Sequence, residues 1–139
     1  MDDRGFSGPI LAVAVKVTLN KPPREFRVGK NKATTLLDCG RIRLEPGELV
    51  TFTTPFGAEF DFCRKEWGFY ATPSLNGRLS SFGLRALLAK GPDGKYYILV
   101  VESGQETVLE RYMEAEGHTL VAWLDSSSSL AELEAKIKS

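Results

Sequence analysis

The chain has 139 residues, 42% of them hydrophobic and 26% charged, which suits one ordinary globular domain; two domains would each have a thin core. Its 18 basic residues balance 18 acidic ones, so no net field draws it to nucleic acid or to an anionic membrane, and neither is an expected partner. The apolar run at 10–15 falls far short of the roughly 20 residues that a membrane-spanning helix needs.

Met1-Asp2-Asp3-Arg4-Gly5 lacks the basic start of a secretory signal, which points to a cytoplasmic protein with a flexible arm over residues 1–9. Residues 10–19 are rich in Val, Leu and Ala and end at Asn20-Lys21-Pro22-Pro23, a strand signal. Arg24-Glu25-Phe26-Arg27-Val28 alternates polar and apolar side chains and predicts a short, half-exposed strand. Residues 33–38 are apolar enough for another. Gly40-Arg41-Ile42-Arg43-Leu44 alternates strictly, and Glu45-Pro46-Gly47-Glu48 leads into a β-branched and aromatic run over 49–54. Pro followed by Gly suits a type II turn, where the glycine takes the positive φ. These two runs predict a hairpin with Ile42 and Leu44 on one face and Arg41 and Arg43 on the other.

Residues 58–63 alternate again, setting Phe60 and Phe62 opposite Glu59, Asp61 and Cys63. Residues 84–90 and 96–102 predict a second hairpin around Gly91-Pro92-Asp93-Gly94. The nearly continuous apolar run Tyr96-Tyr97-Ile98-Leu99-Val100-Val101 predicts a central strand covered on both faces.

The period then changes. Val108, Leu109, Tyr112 and Met113 form one stripe of a helix over 105–116, with Ser103 and Glu106 spaced as a capping box and Gly117 to end it. Residues 118–124 predict a strand; were it a parallel neighbour of 96–102, a right-handed crossover would join them. Four serines over 126–129 read as a linker to a short helix at 130–138, with Leu130, Leu133 and Ile137 on one face. So short a helix is marginal alone and must dock, on its own domain or on a second copy in a homodimer. The whole reads as α+β: a mainly antiparallel sheet of about six to eight strands, open or barrel-like, with two C-terminal helices. It is expected to form one domain over 10–125, followed by the serine linker and helix over 126–139.

Chemistry is sparse. Cys39 and Cys63 share no C-x-x-C spacing and are expected to be reduced thiols. His118 is the sole histidine, so a zinc site would need a carboxylate ligand and an unusual geometry; no metal or other cofactor is expected. Ser74, Ser80 and Ser81 occur without a G-x-S-x-G motif, and His118 is the only imidazole to serve them, so a hydrolase triad is unsupported. Neither G-x-G-x-x-G nor a P-loop occurs, although Asn76-Gly77-Arg78 can offer backbone N–H groups and a guanidinium to an anion.

The segment 60–83 mixes six aromatics with basic residues and turn formers, as binding loops often do. Trp67, Phe69, Tyr70 and Phe82, interleaved with Arg64, Lys65, Arg78 and Arg85, suit either stacking on a base or sugar ring or the packing of a core corner. They predict a non-catalytic binding or accessory domain holding a small polar or anionic ligand near residues 64–82. Trp67 and Tyr70 would stack, Arg64 and Arg78 would supply charge, and Asn76 would hydrogen-bond. The alternative is a small enzyme acting on a sugar or nucleotide, with Glu66 or Asp61 as acid or base; it requires a buried carboxylate facing a concave site.

The run Arg64-Lys65-Glu66-Trp67-Gly68-Phe69-Tyr70-Ala71-Thr72-Pro73-Ser74-Leu75-Asn76-Gly77-Arg78-Leu79 resembles a stretch of short bacterial proteins to which no activity is attached. The segment 96–102 and Val121-Ala122-Trp123-Leu124-Asp125 are similar to them too. The resemblance implies a bacterial single-domain protein and carries over no functional residue.

Overall fold

The computed structural model describes residues 15–139 and opens with a two-stranded ribbon. Strand β1 (Lys16–Val28) pairs antiparallel with β2 (Thr34–Arg43) across a 3-10 turn at Lys30–Lys32. The arm expected over 1–9 and the start of the strand expected at 10–19 lie outside the described residues. The segments expected to be separate strands on either side of Pro22-Pro23 form one strand with a bulge. Leu19 pairs with Gly40 and Arg24 with Asp38, so four residues of β1 oppose Cys39. Two prolines in succession offer no N–H to the ladder. The Asn20 side chain compensates by donating to the Asp38 carbonyl at 3.0 Å. Gly40, at φ +149°, permits the close approach, because a Cβ there would run into the carbonyl oxygen of Thr18.

Alternation gives the ribbon two unlike faces. Val17, Leu19, Phe26, Val28, Leu36 and Ile42 share one of them and stay between 38% and 60% exposed. Lys16, Arg27, Arg41 and Arg43 share the other. Arg24 crosses the apolar face, its Nη2 2.8 Å from Asp38 Oδ2 and its guanidinium 5.0 Å from the Phe26 ring centroid. The Arg24 hydrogen bond holds the Asp38 carboxyl below its ordinary value.

The hairpin expected between 40–44 and 49–54 does not form. Its turn is present, with Gly47 at φ +90° and Glu48 N–H donating to Glu45 O at 3.0 Å. The strand that follows, β3 (Leu49–Thr53), pairs instead with β4 (Glu59–Lys65), which pairs in turn with β5 (Gly68–Ala71). Arg64, in β4, takes up the polar groups around the turn. Its Nη1 donates to Leu44 O at 2.8 Å, its N–H donates to Glu48 O at 2.9 Å, and its carbonyl accepts Gly47 N–H at 2.7 Å. Phe60 and Phe62 share a face as expected, their centroids 5.1 Å apart in an edge-on contact.

The third sheet has the order β7-β6-β8, with β6 (Leu84–Lys90) antiparallel to both β7 (Tyr96–Glu102) and β8 (Thr119–Trp123). The β6–β7 hairpin forms as expected, but β7 is an edge strand rather than the central one, and Tyr96 and Ile98 are each 58% exposed. The central place belongs to β6. One of its faces buries Leu87 and Ala89 against Met113 of α2 (Glu106–Glu116), with Leu99, Leu109 and Trp123 beside them. The other buries Leu84 and Ala86 against Ala58, Phe60 and Leu79 of the one-turn helix α1 (Arg78–Ser81). Strands β7 and β8 are therefore not neighbours, and α2 connects them across β6.

Gly117 ends α2 in the left-handed conformation, with His118 N–H on Met113 O at 2.8 Å. Ser103 does not cap its start; Glu106 Oε1 instead accepts Gly104 N–H at 2.7 Å. Helix α3 (Ser127–Lys138) begins three residues before the expected 130, because Ser126 caps it by accepting Ser129 N–H at 3.1 Å. The serines are thus the cap and first turn of the helix. None of its residues is buried, and Ile137 is 74% exposed. The fold is α+β with eight antiparallel strands in three sheets, and no sheet closes into a barrel among the described residues. No helix among them is long and apolar enough to cross a membrane.

Arg85 ties this third sheet together. From β6 its Nε donates to Asp125 Oδ2 at 2.8 Å and its Nη1 to Glu106 Oε2 at 3.4 Å, while the guanidinium carbon lies 3.8 Å from the Trp123 ring centroid. The Asp125 hydrogen bond makes Arg85 bind its proton more tightly. Backbone N–H groups at Glu106 itself and at Gly104, then Arg85, hold the Glu106 carboxyl below its ordinary value of 4.5. A carboxyl depressed by folding stabilises fully above its unfolded value and loses that contribution as pH falls through the folded one. Stability is therefore expected to decline as pH drops below 4.5 in an acid-unfolding series, with Asp38 adding to the loss below its ordinary 3.8.

The Asp125 side chain is only 10% exposed and that of Arg85 35%, so the cost of Arg85→Ala should lie between the exposed-pair and buried-pair limits, at about 2 kcal/mol in urea unfolding. Arg85→Lys, which lacks the planar fork, should recover only part of it. Gly40→Ala should lower the melting temperature and abolish amide-exchange protection in the ribbon.

Candidate functional site

Strands β4 and β5 meet in a tight hairpin closed by the Lys65–Gly68 pair, with Glu66 and Trp67 as its turn. The binding loop expected over 60–83 is therefore a regular hairpin in its first half, and the tight turn thrusts its rings outward. Trp67 is 73% exposed, Phe69 63% and Tyr70 42%. The Trp67 and Tyr70 rings lie 6.2 Å apart at a 30° tilt, and Lys65 Nζ sits 5.8 Å from the Tyr70 centroid. None of these three rings belongs to a core corner.

The hairpin walls a cleft of about 630 Å³ against the end of β2. Arg64, Glu66, Trp67 and Phe69 line it from the hairpin, Arg41, Ile42 and Arg43 from the ribbon, and Leu44 and Glu45 from the turn between. Arg64 is partly committed, bonded to Leu44 O and 4.0 Å from Glu45 Oε2. Arg41 and Arg43 have no hydrogen bond or ion pair among the described residues. Their strict alternation with Ile42 was the signal that they share a face; their meeting with the hairpin rests on long-range folding that this alternation does not encode. Guanidiniums that make no hydrogen bond among the described residues, set beside exposed π faces, can bind an anion and stack on a flat group attached to it.

The other expected ligand residues do not converge here. Tyr70 braces Trp67 without lining the cleft. Asn76 Nδ2 donates to Ser127 Oγ at 3.2 Å, at the start of α3. Arg78 stacks 4.8 Å from the Phe82 centroid, and its N–H donates to Ser74 Oγ at 3.0 Å. After β5 the chain turns away to build α1, so sequence proximity to Trp67 does not become spatial proximity.

Neither alternative acid–base carboxylate is a buried group facing the cleft. Glu66 lines the cleft but is exposed, whereas Asp61 lies outside it, with Oδ1 buried and unpartnered and Oδ2 3.5 Å from Thr72 Oγ1. The hydroxyls of Ser80 and Ser81 donate to Gly77 O and Arg78 O in the α1 turn, and His118 stands between Tyr97 and Tyr112 instead. Cys39 is exposed, Cys63 is buried, and neither is bridged. Among the described residues no three His, Cys, Asp or Glu side chains gather as metal ligands would. No family model, curated protein or solved structure matches the chain.

Because Trp67 and Arg43 project at the surface, alanine at either position should change unfolding free energy by no more than about 0.5 kcal/mol. Leu87→Ala, in a side chain 1% exposed, should cost about 2–5 kcal/mol in the same denaturation experiment.

Proposed function

We propose that this chain is a non-catalytic binding domain whose cleft between β2 and the β4–β5 hairpin holds a small anionic ligand bearing a flat ring, of the nucleotide class. The observation that carries this reading is the pairing of two guanidiniums, Arg41 and Arg43, which make no hydrogen bond or ion pair among the described residues, with the exposed rings of Trp67 and Phe69 around one concavity. The guanidiniums would take the anion and the rings the planar part. Balanced overall charge favours a local, small-ligand role over a nucleic-acid one. Two unbridged thiols, one of them exposed, suit a reducing compartment, and we place the protein in the cytoplasm.

The enzyme alternative requires a shielded carboxylate at the concavity. Glu66 is exposed there, and Asp61 lies elsewhere. The geometry therefore favours holding a ligand over transforming it.

Titration with inorganic phosphate, nucleoside monophosphates and sugar phosphates, followed by tryptophan fluorescence and calorimetry, tests the reading. One ring-bearing class should bind saturably and quench fluorescence, more weakly as salt rises. Trp67→Ala and Arg43→Ala should each weaken it about tenfold, equivalent to about 1.4 kcal/mol, while remaining folded. Binding that survives both substitutions, or no binding across the panel, would overturn it.

A further inference from the structure

A second concavity lies at the far end of the molecule, where the tip of the ribbon meets α2. Its polar part, about 510 Å³, is lined by Asp93, Glu116, Gly117, Tyr97 and His118. An adjoining apolar part of about 340 Å³ shares Tyr97, Glu116 and His118 and adds Val28, Leu36, Leu99 and Tyr112. The two parts form one amphipathic site with an acidic head and a greasy channel.

Each feature of the head selects a cation. Tyr97 and Tyr112 flank His118, with ring centroids 5.5 and 6.1 Å from its own, so electron-rich faces wall the space. Glu116 Oε1 accepts the Lys30 N–H at 3.0 Å, and Asp93 Oδ2 receives the Tyr97 hydroxyl at 3.4 Å. Gly117 and His118 follow the last turn of α2, where the helix presents its negative end. The Nδ1 of His118 is buried without a hydrogen-bond partner among the described residues, a polar atom left uncompensated in the wall of the site. Among the described residues Lys30 is the one lysine or arginine on the lining, against two carboxylates and the helix end.

The site is held open by a contact that only glycine permits. Gly29, at φ +81°, lets Glu116 lie against the ribbon tip, where a Cβ would collide with Glu116 Oε1. The channel exists because the apolar face of β1–β2 passes over Tyr112 and Leu99 without packing closely on them.

We propose that this site binds an aliphatic amine: the ammonium group sits among Glu116, Asp93 and His118, and the alkyl chain runs along Val28, Leu36 and Leu99. An amine carrying N–H donors fits better than a quaternary one, since the carboxylates take donors as well as charge.

The test compares three probes of equal chain length at pH 7 with the full chain: hexylamine, hexanoate and hexan-1-ol, each titrated while the ring resonances of His118, Tyr97 and Tyr112 are followed by NMR. Hexylamine should bind saturably and shift all three rings, whereas hexanoate and hexanol should not. Glu116→Gln keeps an acceptor for Lys30 N–H while removing the charge, and should weaken hexylamine binding at least tenfold. Should that variant fail to fold, as judged by amide dispersion, Asp93→Asn takes its place with the same expectation. Equal binding of hexanol or hexanoate, an unchanged affinity in the folded charge-removing variant, or no shift of these rings with hexylamine would overturn the proposal.

Discussion

The third sheet, which holds most of the buried core, depends on one side chain that faces in three directions at once. Arg85 leaves the central strand β6, lies flat on Trp123 of β8, forks onto Asp125 just beyond it, and reaches Glu106 at the head of α2. A strand needs small side chains on both faces to be covered on both, and Ala86 and Ala89 supply them for β6. The apolar contacts hold the layers together without fixing direction. The planar guanidinium supplies direction, because its hydrogen bonds lie in the plane that rests on the indole. This arrangement fixes where α2 begins, while Gly117 ends it at the ribbon side.

The other two sheets bury much less, and their exposed groups line the candidate sites. Ribbon β1–β2 keeps seven large apolar side chains half in solvent, and the β4–β5 hairpin keeps three rings there. A core would have absorbed such groups, since a buried ring contributes more than an exposed one. Their exposure leaves concave surfaces at both ends of the ribbon with opposite preferences. At the end near β4 the basic face supplies Arg41 and Arg43, and at the turn end the neighbours are Asp93 and Glu116. One ribbon thus borders a site suited to an anion and another suited to a cation, although the chain's net charge is zero.

Local chemistry was legible in the sequence where the structure is local. The β6–β7 hairpin follows from the turn residues at 91–94, and α2 from its 3.6-residue stripe and terminal glycine. Strand β5 was hidden because its turn, Glu66-Trp67, contains neither of the residues that usually mark two-residue hairpins. The central strand was misassigned because bulky Tyr96 and Ile98 look more core-like than the alanines of β6, yet small residues are what permit cover on both faces. The pairing of β3 with β4, rather than with β2, turned on Arg64 satisfying the turn from a distance, which periodicity does not report. For the site, Arg64 and Trp67 were readable as neighbours. Arg41 and Arg43 were readable only as a shared face, and Asn76 and Arg78 were drawn off by α1 and α3.

The central claim is that Arg41, Arg43, Trp67 and Phe69 act as one binding surface. Mapping backbone amide shifts during titration with a nucleoside monophosphate tests it most directly. The account predicts saturable shifts concentrated at the end of β2 and across the β4–β5 turn, with α1, α3 and the far end of the ribbon unmoved. Shifts centred on Asn76 and Arg78, or spread evenly over the surface, would contradict it.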